Sequence, residues 1–149
     1  MIFQQFHVTV KALIVWNDKL ILMRSKEPDR PNDLEPPGGR VDVGEKIMTT
    51  LKRELKEETN LNLDLVKSEV KLFSINQRDE VEYGHDNKTQ VLEVYYSVKI
   101  KGHMKPDIFA KTESKGLVFI DKNTDLNKYS YTPKGRRGIY RLAQLKLLK

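Results

Sequence analysis

GRVDVGEKIMTTLKRELKEETNL, residues Gly39 to Leu61, holds the clearest helix of the chain. From Glu45 to Thr59 the apolar residues Ile47, Met48, Leu51 and Leu55 recur at helical spacing. On a wheel with Glu54 at zero and roughly 100° per residue, Glu57 falls near about −60° and Glu58 near about +40°, so the three carboxylates share an arc of about 100°. The apolar stripe runs from about +20° to about +120°, which puts Glu58 inside its edge and Glu54 beside it. Lys52 and Lys56 take the opposite side, where a merely solvated helix would have placed its acids. Like charges three and four residues apart repel, so positive charge is expected among them. Crowded carboxylates without His or Cys are the ligand set of Mg²⁺ or Mn²⁺, which take oxygen donors, keep several waters and touch substrate phosphates. Arg53, about 40° from Glu57, is placed to hydrogen-bond it and fix its orientation. Alone, an Arg-Glu-Leu-Lys-Glu-Glu string reads more simply as a charged surface with ordinary ion pairs, so the decision rests on the residues around it.

Those residues carry a family resemblance. Gly39, five residues, Glu45, seven residues, then Arg53-Glu54-Leu55-Lys56-Glu57-Glu58-Thr59-Asn60-Leu61 resembles the Nudix box, and every fixed position agrees except the second glycine, which is Asn60 here. That position follows a helix end, and Asn is the next best residue after Gly for a left-handed conformation. The preceding Pro37-Gly38-Gly39 is similar to the family's usual entry into the box. The resemblance implies that Glu54, Glu57 and Glu58 bind Mg²⁺ or Mn²⁺, with the backbone carbonyl of Gly39 completing the site. It also implies hydrolysis of a phosphoanhydride by attack of water at phosphorus, a reaction that carboxylate-held metal can support. Arg53 would support the carboxylates, and Glu45 would act through structural hydrogen bonds or as a further ligand. Gly38, Gly39 and Arg40 form the expected substrate-binding loop. An acid on a later loop helps as base or ligand in many relatives, and Glu113 is the best-placed candidate here. The implied fold is α+β, an α/β/α sandwich with a mixed β-sheet.

The flanks fit that class. Val8, Val10, Ala12, Ile14 and Trp16 alternate along His7 to Trp16, and Lys19 to Arg24 is a second apolar run after the turn Asn17-Asp18, so a β-hairpin is expected. Glu27 to Pro37 is too rich in proline for a helix or a central strand. Arg40 to Gly44 has room for a short strand. Leu61 to Asn76, Thr89 to Ile100 and Lys115 to Ile120 read as strands, with the polar segment RDEVEYGHDNK between the first two as an exposed loop. Pro133 to Lys149 predicts a basic C-terminal helix with Ile139, Leu142 and Leu145 on one side, covering the sheet.

Composition sets the outer limits. At 149 residues and 38% hydrophobic, one domain over 1–149 is expected. The start of the chain alternates where a signal peptide would run apolar, and no apolar run reaches membrane-spanning length, so the expectation is a cytoplasmic protein without a membrane partner. With no cysteine, metal must be held by oxygen or by the three histidines. His7, His85 and His103 lack a partner at ligand spacing and are assigned nothing. Glu80, Glu82 and Glu93 read equally well as solvated or catalytic, and Phe6, Tyr83 and Phe109 as core rather than base-stacking residues. The net charge of +6 suits any polyphosphate. No zinc-finger, helix-turn-helix or aromatic-basic motif points to nucleic acid, leaving a small nucleotide as the expected partner of a monomer or homodimer. A nucleotide-sensing or nucleic-acid-binding module without turnover is the alternative; it would be expected to have lost a metal ligand, and all three acids remain.

Overall fold

Strand β1 (Phe6–Trp16) runs through the middle of a seven-stranded mixed sheet and sets its two faces. The computed structural model describes residues 6–83, 88–102 and 116–149, the side chains of 79–83, 88 and 89 excepted. Asn17 and Asp18, both at positive φ, turn β1 into the antiparallel β2 (Lys19–Arg24), with Ile14 opposite Ile21. On the other side β1 pairs in parallel with β6 (Lys88–Ile100), which pairs antiparallel with β5 (Ser68–Tyr83). One short strand interrupts the proline-rich region, β3 (Leu34–Glu35) on β2, and β4 (Gly38–Arg40) on β1 follows it; β7 (Leu117–Ile120) pairs with β2.

The period-two pattern of β1 divides two cores. Val10, Ala12 and Ile14 point toward helix α1 (Ile47–Thr59) and pack with Leu51, Leu55 and Leu61. Leu13 and Val15 point the other way, toward Tyr95 and the helix α2 (Arg136–Leu147) residues Tyr140 and Ala143. Burying each such aliphatic side chain is worth about 1.5–3 kcal/mol, so Leu51 and Leu55 suffice to fix which face of α1 meets the sheet. Asn60 ends α1 at φ 59 and ψ 19, its N–H bonded to the Lys56 carbonyl and that of Leu61 to the Leu55 carbonyl. This is the left-handed stop for which Asn substitutes for Gly.

Four expectations move. The strand expected at Arg40 to Gly44 lies at Gly38–Arg40, because Gly38 meets Lys11 across the ladder while a turn from Asp42 to Glu45 stops the pairing. The strand expected at Leu61 to Asn76 begins at Ser68, after turns in 62–66, and runs on to Tyr83. Much of the segment read as a loop is therefore strand: Val81, Glu82 and Tyr83 pair with Gln90, Thr89 and Lys88, since cross-strand hydrogen bonds satisfy the backbone whatever the side-chain polarity. Finally, α2 does not bury Leu142 and Leu145, which are exposed; it buries Arg136, Tyr140, Ala143 and Gln144. Gln144 explains part of this rotation, donating to the carbonyls of Asp121 and Thr124. Among the described residues no helix is long and apolar enough to cross a membrane.

Candidate active site

The site is built where α1 crosses β4. Gly38 occupies φ +148, and a Cβ there would overlap the Val10 carbonyl oxygen; a Cβ on Gly39 would overlap the Glu54 carboxylate. The two glycines thus let the strand lie against β1 on one side and against an acid of α1 on the other. Pairing with Thr9 to Lys11 holds this strand in place, and the Ala12 N–H donates to the Pro37 carbonyl at 2.8 Å.

Arg53 organises the acids. Its Nε and one terminal nitrogen donate to the two oxygens of Glu45 at 3.1 and 3.0 Å, and the other terminal nitrogen donates to Glu54 at 2.9 Å and Glu57 at 3.5 Å. A planar guanidinium suits this task, since its fork matches one carboxylate while a donor is left for the others. Thr50 donates its hydroxyl to Glu45 as well. Hydrogen bonds from Arg53, then from Thr50, hold the Glu45 carboxyl down to about 2, and the bonds to Glu45 and Glu54 raise the Arg53 guanidinium above its usual range. Glu45, placed between structural partner and metal ligand by the sequence, is a clamp on Arg53.

Glu58 takes the other wall. Its carboxylate accepts the Gly38 N–H at 2.9 Å. Burial pushes its pKa up to about 8, while the Gly38 N–H and the Lys11 ammonium pull the other way. An acid held in place by a backbone amide while burial opposes its ionisation is one whose charged form calls for more positive charge nearby. Lys11 is itself lowered, first by burial and then by repulsion from Arg136, with Glu58, Glu93 and Glu35 opposing.

The residues singled out by the sequence therefore largely meet: Arg53, Glu54, Glu57, Glu58, Gly38 and Gly39 surround one corner of the sheet. Their carboxylates do not converge into a ready ligand cluster among the described residues, since Glu54 is turned to Arg53 and Glu58 to Gly38, and the Glu57 side chain is 50% exposed. Oxygen-only donors, excess negative charge and a glycine backbone against Glu54 nonetheless match what a hard divalent cation requires. Arg40 has an exposed side chain at the end of β4. Glu113, His85, His103 and Phe109 lie outside the described residues, as do the side chains of Glu80, Glu82 and Tyr83.

Sequence reasoning missed the opposite face. Glu93 is 2% exposed, accepting from Arg136 at 2.7 Å and from the Tyr95 hydroxyl, with Arg78 at 3.8 Å. Arg136 holds its carboxyl below the usual range although burial opposes the shift. One signal was present: Lys11 and Glu93 interrupt strands whose neighbours on the same face, Leu13 and Tyr95, are buried.

A family model for the NUDIX domain matches residues 5–136. No curated protein matches the chain in sequence. Among solved structures, the E. coli ORF135 protein is 19% identical with a TM-score of 0.68, the match covering 97% of this chain and 93% of that one. The E. coli dihydroneopterin triphosphate pyrophosphohydrolase is 13% identical with a TM-score of 0.69, covering 97% and 98%. A MutT protein from Bacillus halodurans is 22% identical with a TM-score of 0.64, covering 91% and 80%. These likenesses share the mixed sheet and its two helices, and with the family match over most of the chain they place the protein in the NUDIX domain family, as a Nudix-type hydrolase.

Proposed function

We propose that this protein hydrolyses the pyrophosphate linkage of a nucleoside diphosphate joined to a further group, using Mg²⁺ or Mn²⁺ held by Glu54, Glu57 and Glu58 with the Gly39 carbonyl. The observation that carries the reading is the Arg53 clamp, which gathers Glu45, Glu54 and Glu57 beside the glycine strand that Glu58 touches. Bound there, the metal would neutralise phosphate charge and lower the pKa of water. The chain's own residues do the rest. Arg53 fixes the rotamers of Glu54 and Glu57, Gly39 leaves room for close approach, and the strand Gly38 to Arg40, with Arg40 exposed at its end, receives the phosphates. Glu113 is the candidate acid for taking the proton of the attacking water. The dihydroneopterin triphosphate pyrophosphohydrolase of like fold supports the reaction class by its name. Substrate choice within the class, whether a nucleoside triphosphate or ADP-ribose and other nucleotide sugars, rests on surfaces outside the box.

The test is release of nucleoside monophosphate, pyrophosphate or phosphate from a panel of such compounds with Mg²⁺ or Mn²⁺, beside Glu57→Gln. Turnover that disappears in the variant supports the proposal; turnover equal in both sinks it.

A further inference from the structure

A cavity of about 1300 Å³ opens on the α2 face of the sheet, floored by Asn76 and Glu93 and walled by Arg30, Lys134 and Arg136. Cross-strand register ties it to the active site. Arg40, Thr9, Glu93 and Asn76 sit opposite one another on β4, β1, β6 and β5 in turn. Three strand spacings separate the ends of that row, about 14 Å. Residues in register share a face, so a molecule with its anhydride at the edge of β4 would reach this floor by passing over Arg40 and Thr9 on the α2 side.

Among the fully buried side-chain atoms of the wall, the unused hydrogen-bonding capacity lies with donors. Both Glu93 oxygens already accept a bond, one from Arg136 and one from Tyr95. The Asn76 carbonyl accepts from Ser74, and Asp33 accepts from the Thr132 hydroxyl. Asn76 Nδ2 and Arg136 Nε are buried without a partner, and the side chains of Arg30 and Lys134 have no acidic partner among the described residues. Five cationic side chains line the cavity, with Arg78 and Arg137 added to these, against three acids of which Asp29 stands on the exposed rim. A neutral nucleobase would leave the excess of positive charge uncompensated. A phosphate offers only acceptors and carries about −1.5 to −2 charges at neutral pH, which fits both the donors and the net charge.

We infer that the cavity binds a phosphate group, so that the substrate is a nucleotide carrying a second phosphate at the end remote from the scissile anhydride. That the two groups belong to one substrate rests on the hydrolase reading above; the phosphate site itself does not. The test is an NMR titration of the full chain with inorganic phosphate in EDTA, where the unmetallated acids of α1 repel the probe. The Arg136 Nε–H and Asn76 side-chain amide signals should shift saturably, and Arg30→Gln combined with Lys134→Gln should weaken the affinity tenfold or more with the backbone spectrum otherwise kept. Signals that phosphate does not move, that move equally in the double variant, or that free adenosine or uridine moves instead, would overturn the site. Because no metal or anhydride is present, this outcome is separate from turnover: a panel without turnover beside saturable phosphate binding would remove the hydrolase reading and leave the cavity assignment standing.

Discussion

The two faces of the sheet handle charge in opposite ways. On the α1 side, one guanidinium is spread over several carboxylates, with Glu57 half exposed and Glu58 in contact with a backbone amide. On the α2 side, Glu93 is buried against Arg136 and closed off by Tyr95. The first arrangement leaves net negative charge and open approach, as a cation-dependent site needs; the second neutralises its buried acid within the protein. A buried, paired acid supports the fold, while an under-compensated acid at an open edge is free to do chemistry.

This contrast is sharpest when single partners are removed. Arg136→Met should cost about 3–5 kcal/mol in urea unfolding because it strands the Glu93 charge, and adding Glu93→Leu should recover most of the loss. A double variant as unstable as the single one would mean that the pair is not the unit. Glu57→Gln should do the reverse, leaving the unfolding midpoint near that of the native protein while lowering kcat by more than about 100-fold, the upper range for an outer partner of a metal site. Arg53→Lys keeps the charge and loses the fork. A fall of about 10- to 100-fold in activity is expected, with metal affinity reduced in step. Asn60→Ala should cost about 1–2 kcal/mol through its left-handed backbone, whereas Asn60→Gly should change little.

The smallest effect is acid sensitivity. The Glu45 carboxyl is depressed to about 2 by Arg53 and Thr50, so its contribution to stability is present above the ordinary carboxylate pKa and is lost as pH falls toward about 2. Glu45→Gln should therefore flatten that part of a stability-against-pH curve and leave its neutral part less changed; an unaltered acid limb would show that the clamp carries no weight.

Much of the α1 side was legible because its determinants are local. Box spacing, helical period and the Asn60 stop all lie within Gly39–Leu61, and the structure places α1 within two residues of the expected start. The hairpin of β1 and β2 was equally plain from alternation. The α2 side was not, because its logic is long-range: Glu93 and Arg136 are 43 positions apart and only the sheet brings them together. Leu142 and Leu145 misled for the same reason. Their spacing describes an apolar stripe, yet the rotation of α2 puts Arg136 and Gln144 against their partners and leaves those leucines in water. The strand character of 78–83 was hidden by polar residues that a hairpin edge accepts without penalty.

The central claim is that the acids of α1 form a cation site, and Mn²⁺ binding read by electron paramagnetic resonance tests it without any substrate. The native protein should remove free aqueous Mn²⁺ from the spectrum, and Glu57→Gln should bind it at least about tenfold more weakly with its fold intact. Equal affinity in the two proteins would contradict the account.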